Sequence, residues 1–122
     1  MIQTLYLSFH GGISEGEAFA VQGDKNLSTL RCVLRGYRYR EGDTALLRAT
    51  KPDGTVCYLS GMGDSENAFR FLLTDQMTAV EGDVRCDVAL HREEGIISTD
   101  EFLLKVRPAA AAGEMTASET ET

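Results

Sequence analysis

Eleven of the twelve glycines fall at positions 11, 12, 16, 23, 36, 42, 54, 61, 63, 82 and 95, and they cut the chain into pieces of roughly strand length. Inside those pieces apolar and polar residues alternate. Leu30, Cys32 and Leu34 interleave with Arg31, Val33 and Arg35, and Ala45, Leu47 and Ala49 with Thr44, Leu46 and Arg48. Phe69, Phe71 and Leu73 interleave with Ala68, Arg70 and Leu72. Val84, Cys86, Val88 and Leu90 alternate with Arg85, Asp87, Ala89 and His91, and Phe102, Leu104 and Val106 with Leu103, Lys105 and Arg107. Near the N-terminus Leu5, Leu7 and Phe9 share one side, as do Phe19 and Val21. A period of two sends alternate side chains to opposite faces of a strand, one toward a core and one toward water.

Seven or eight such strands at spacings of about ten residues, with no long helical pattern between them, predict an antiparallel β-sandwich. The inward set is Leu30, Cys32, Leu34, Phe69, Phe71, Val84, Cys86, Val88, Phe102, Leu104 and Val106. Lys51-Pro52-Asp53-Gly54-Thr55 reads as a turn, with Pro setting φ and Gly taking the positive φ that follows. Arg92-Glu93-Glu94-Gly95 reads as a hairpin loop with Gly95 in the left-handed position. Thr74–Val80 is the one stretch expected to form a short helical turn, capped by Thr74 or Asp75.

At 122 residues the chain suits one domain, large enough to fold without staples. Lys plus Arg number 12 and Asp plus Glu 19, a net charge of −7, which speaks against a general nucleic-acid binder that works by neutralising phosphates. No apolar run reaches the ~20 residues of a membrane-spanning helix. Met1–Phe9 lacks the basic start and long apolar stretch of a signal peptide. From position 108 the composition changes to an alanine run and then an acidic segment, so residues 108–122 are read as a flexible tail and residues 17–107 as the sandwich. Residues 1–16 read as an extra strand and loop. Ile2–Phe9 carries no charge to protect an edge, so it is expected to be covered, within the domain or by a neighbour.

Candidate chemistry is sparse. Cys32 and Cys86 fall on inward faces in the manner of an inter-sheet bridge, but the total of three cysteines is odd and no Trp is present, so free buried thiols are expected. Cys57 is expected to be half exposed, and a nucleophile built from it and His10 or His91 is a remote alternative. Asp24-Lys25-Asn26 and Asp64-Ser65-Glu66-Asn67 are oxygen-rich but lack calcium-loop spacing, and they read as turns. No catalytic set, metal site or cofactor loop emerges. The one basic–aromatic stretch is Arg35-Gly36-Tyr37-Arg38-Tyr39-Arg40, with Arg31 and Arg35 on its outward face. Tyr37, Arg38, Tyr39, Arg40, Arg31 and Arg35 are the candidate partner contacts, because interfaces favour Tyr and Arg. The plain reading beside it is a solvated strand end whose arginines pair with Glu41 and Asp43. A carbohydrate-binding or adhesive sandwich stacking sugars on Tyr37 and Tyr39 is the alternative.

A larger pattern runs through these pieces. Gln22-Gly23-Asp24 is followed by Lys51-Pro52-Asp53-Gly54-Thr55, then by Leu73-Thr74-Asp75-Gln76-Met77-Thr78-Ala79-Val80-Glu81-Gly82, then by Ser98-Thr99-Asp100-Glu101-Phe102-Leu103-Leu104-Lys105-Val106. In this order, over residues 17–107, the chain resembles the N-terminal immunoglobulin-like domain of phage baseplate upper proteins. The resemblance implies an immunoglobulin-like fold and a non-enzymatic structural part of a phage or prophage tail tip. It also implies docking on other baseplate proteins in several copies, a homo-oligomer within the assembly, no nucleic acid or membrane partner, and a place in the virion after assembly in the host cytoplasm.

Overall fold

The computed structural model describes residues 1–11 and 16–109. Ten strands follow in chain order: β1 Ile2–Leu7, β2 Ala18–Val21, β3 Thr29–Leu34, β4 Thr44–Thr50, β5 Val56–Ser60, β6 Met62–Gly63, β7 Ala68–Leu72, β8 Gly82–Arg92, β9 Gly95–Ser98 and β10 Phe102–Arg107. Four of them form one sheet in the order β1-β3-β7-β6. The larger sheet runs β2-β10-β8-β4-β5, with β9 paired to the far end of β8. The molecule is an all-β sandwich, and all eleven residues predicted to face inward are buried in its core.

Several expectations need correction. The sheets are mixed rather than antiparallel: β1 lies parallel to β3, and β2 parallel to β10. Ten strands appear among the described residues instead of seven or eight, because β6 is two residues long and β9 is the short return of a hairpin. Thr74–Val80 makes the single turn expected of it and goes no further: Met77 N–H and Thr78 N–H reach the Thr74 carbonyl at 3.1 and 3.3 Å, and the Thr74 hydroxyl accepts from Met77 N–H at 3.4 Å. Gly95 pairs with Arg92 without entering the left-handed region. Gly54, by contrast, takes φ +87° as expected, and its N–H closes the turn on the Lys51 carbonyl at 2.8 Å. Residues 110–122, most of the expected tail, lie outside the described residues.

The N-terminal segment is covered within the domain. β1 pairs along its whole length with β3, and Leu5 and Leu7 are buried. The chain then crosses to the other sheet as β2, where Ala18 and Ala20 face the core and Phe19 faces out. This crossing is clipped by one side chain. The Gln3 amide donates to the Phe19 carbonyl at 2.7 Å and accepts from the Phe19 N–H at 2.8 Å, standing in for a neighbouring strand. On the opposite flank β5 runs through Gly61 into β6 and so passes from the larger sheet to the smaller. A Cβ at Gly61 would sit 2.8 Å from the Phe71 ring, so only glycine lets the strand bend this close to the core.

Candidate functional site

Residues 35–43 connect β3 to β4 and contain the Tyr–Arg stretch. What shapes this loop is Asp43, whose side chain is 1% exposed. It accepts four hydrogen bonds: from Arg92 Nε at 2.8 Å and Nη2 at 2.7 Å, from the Tyr37 hydroxyl at 2.6 Å and from the Arg40 N–H at 2.9 Å. A carboxylate can leave water only if such donors replace its hydration, and a bidentate guanidinium is the strongest of them. The Arg92 bonds hold Asp43 well below the usual carboxylate range, against the opposing effect of its desolvation, and the Tyr37 and Arg40 donors reinforce them. Desolvation, with the Asp43 hydrogen bond behind it, pushes the Tyr37 hydroxyl up. The Arg92 guanidinium lies 5.8 Å from the Tyr37 ring centre, and that ring packs against Phe69 at 6.0 Å.

The candidate residues therefore divide into three sets. Tyr37 belongs to the interior of the loop and is not a free platform. Arg38, Tyr39 and Arg40 face out: Arg38 pairs with Glu66 at 3.4 Å, Arg40 with Glu94 at 2.8 Å, and the Tyr39 N–H donates to the Glu66 carbonyl at 2.6 Å. Arg31 and Arg35 belong to the outer face of the smaller sheet. There Arg31 and Arg70, cross-strand neighbours, share Asp64 at 2.6 and 2.9 Å, and Arg35 lies 5.9 Å over the ring of Tyr6. Arg31, Arg38 and Arg40 do pair with acids, but through Asp64, Glu66 and Glu94 rather than Glu41 and Asp43. Asp43 was read from sequence only as a surface partner of the stretch's arginines, and Arg92, Asp64 and Arg70 were not read as members of this region. Arg92 lies 49 residues from Asp43, and no local pattern signals the contact.

The aspartates of the two oxygen-rich turns are committed to structure. Asp24 accepts from the Val21 N–H at 2.9 Å, and Asp64 holds its two arginines. Among the described residues no cluster of His, Cys, Asp and Glu is placed to hold a metal ion. The three cysteines are free and buried, Cys57 included, contrary to its expected half exposure. Burial pushes the Cys32 thiol up to about 12 and raises Cys86 as well. Cys57 is raised by burial against a weaker opposing pull from Lys51, so it lacks the thiolate character a nucleophile needs.

No protein-family model and no curated protein sequence matches the chain. Among solved structures, the N-terminal domain of phage TP901-1 ORF48 is similar to it with a TM-score of 0.67, over 87% of this chain and 98% of that domain. The two share a fold. Their sequences are 12% identical, a level at which the likeness speaks for architecture alone.

Proposed function

We propose that the chain is a non-enzymatic structural component of a phage or prophage tail baseplate, acting through protein–protein contacts in several copies and residing in the virion. The observation that carries this reading is the near-complete overlap with a phage domain. The ordered motifs across residues 17–107, which resemble the N-terminal domain of baseplate upper proteins, support it independently. The contents of the site agree with it. Asp43, Tyr37 and Arg92 are spent on holding a loop, and Arg38, Tyr39 and Arg40 are presented on its outer side.

Quantitative mass spectrometry of purified tail particles tests the reading. The chain should be present in more than one copy per tail, and its absence from the particles overturns the proposal. Replacing Arg38, Tyr39 and Arg40 together by Ser should leave the domain folded, because none of their side chains is buried, and should reduce its incorporation. The sugar-binding alternative loses one of its two platforms, since Tyr37 packs on Phe69 and binds Asp43.

A further inference from the structure

Arg38, Arg40, Arg48, Arg85 and Arg92 each hold a carboxylate of their own, on Glu66, Glu94, Asp87, Glu101 and Asp43. Arg31 and Arg70 have one between them. They stand directly opposite each other on β3 and β7, where two like charges repel. Both donate from Nε to the same atom, Asp64 Oδ2, at 2.6 and 2.9 Å. One positive charge is therefore left without a counterpart in this trio. The Nη ends of both guanidiniums also have no protein acceptor among the described residues. The side chains of Arg31 and Arg70 are 27% and 45% exposed, so an incoming group can reach them.

The surroundings of the pair are unusual for so acidic a chain. Of its 19 acids none falls in the four strands of the smaller sheet, β1, β3, β6 and β7, and no lysine does either. The registers lay out the outer face of that sheet. One row runs Thr4, Arg31, Arg70, Met62, and the next Ile2, Thr29, Leu72. Tyr6 follows Thr4 on the same side of β1. Ile2, Tyr6, Met62 and Leu72 are all exposed. Arginine framed by large apolar and aromatic side chains, with Lys, Asp and Glu kept out of the strands, is the composition of a protein interface. The outer face of the larger sheet has the other character, for there Arg48 and Arg85 are neutralised one to one by Asp87 and Glu101.

We propose that the outer face of the smaller sheet docks a neighbouring protein, one of whose Asp or Glu side chains enters between Arg31 and Arg70 and binds their Nη ends. Apolar side chains of that partner rest on Ile2, Tyr6, Met62 and Leu72. The excess charge and the apolar rim together select the occupant. Arg31, Arg70 and Asp64 are one positive charge in excess, which a single carboxylate cancels. The forked guanidinium matches a carboxylate in shape as well as in charge. A free anion would gain nothing from the four exposed apolar side chains, whereas a protein surface that carries the carboxylate covers them and dries the ion pair.

The inference gives the proposed tail component a docking face, and it rests on that reading for the assembly in which the partner sits. Parent and variant chains made together compete for places in tail particles, and mass spectrometry of the purified tails gives their ratio. Arg31→Gln and Arg70→Gln should each be under-represented by about tenfold, because truncating one member of a buried interfacial charge pair speeds dissociation. Asp64→Asn should be over-represented, since it removes the carboxylate that competes with the partner's. Arg48→Gln, on the other face, should enter in proportion. A deficit for Asp64→Asn like that of the arginine variants marks a purely structural trio and overturns the proposal, as do arginine variants that enter in proportion. On the isolated protein, the peptide acetyl-Ala-Glu-Ala-amide, with its single carboxylate, should shift the Nε–H resonances of Arg31 and Arg70 to saturation and leave that of Arg48 in place. All three moving together, or none moving, overturns the proposal. Inorganic phosphate that saturates the pair at lower concentration than the peptide overturns the choice of a protein carboxylate. Tails that hold the chain, with every variant entering in proportion, defeat this inference and leave the tail assignment standing. A chain missing from tails whose arginine pair still binds the peptide does the reverse.

Discussion

Asp43 and Asp64 each hold arginine, and they do so in opposite settings. Asp43 is sealed inside a loop with four donors around it, and Asp64 sits on an open sheet face, one quarter exposed, between Arg31 and Arg70. Arginine hydrogen bonds depress both carboxylates. What differs is the consequence of losing the bond. A carboxylate that is 1% exposed has little water to replace a lost donor, whereas one that is a quarter exposed is rehydrated at once. The first aspartate therefore organises residues 35–43, and the second only neutralises a surface.

The widest separation between the two should come from Asp43→Asn. The amide cannot accept all four bonds, and the loss should be about 2–4 kcal/mol in urea unfolding. A loss under about 1 kcal/mol would mean that the loop does not depend on its carboxylate. Tyr37→Phe removes one of the four donors and keeps the ring on Phe69, so it should cost about 1 kcal/mol.

Acid sharpens the contrast in another way. The folded protein keeps Asp43 ionised at pH values where the unfolded chain protonates it. Its contribution is complete above the unfolded carboxylate pKa of ~4 and is lost as the pH falls from there through the depressed folded value. The melting temperature of Asp43→Asn should accordingly fall less steeply than that of the parent between pH 5 and pH 2. Equal slopes would remove Asp43 from the acid response. The smallest effect belongs to Asp64→Asn, which should shift the melting temperature less than Tyr37→Phe does. That shift should shrink further in high salt, since exposed pairs are screened. A salt-insensitive loss larger than that of Tyr37→Phe would erase the distinction drawn between the two sites.

The alternation in β3, β8 and β10 made the core readable, because Leu30, Cys32, Val84, Val88 and Leu104 are large or apolar at every second place. β2 was harder. Its period is correct, yet the side facing the core carries only Ala18 and Ala20, and the bulky Phe19 points to water. Parallel pairing left no trace either, since a period of two reports which face is buried and not which neighbour a strand selects. At the site, the position of the loop and the exposure of Arg38, Tyr39 and Arg40 could be read from composition. The burial of Asp43 could not, because it depends on Arg92 arriving from the end of β8. Tyr37 illustrates the same limit: an aromatic between arginines suggests a stacking surface, and only the tertiary fold turns it inward.

The parallel contact of β2 with β10 bears on the order in which the molecule assembles. Ala18 lies beside Leu104 and Val21 beside Arg107, so one of the earliest strands to be made has its ladder partner among the last. Contacts of such long sequence separation close late, after the loop entropy between them has been overcome. Until then β2 lacks its partner strand, and the Gln3 clip has no fixed strand to hold. Pulse-labelled exchange during refolding should find the Phe19 amide protected after those of β4 and β8, whose pairing spans a shorter stretch of chain. β2 thus waits for the last described strand, and the flank where β1 hands over to β2 is the final part of the sandwich to shut.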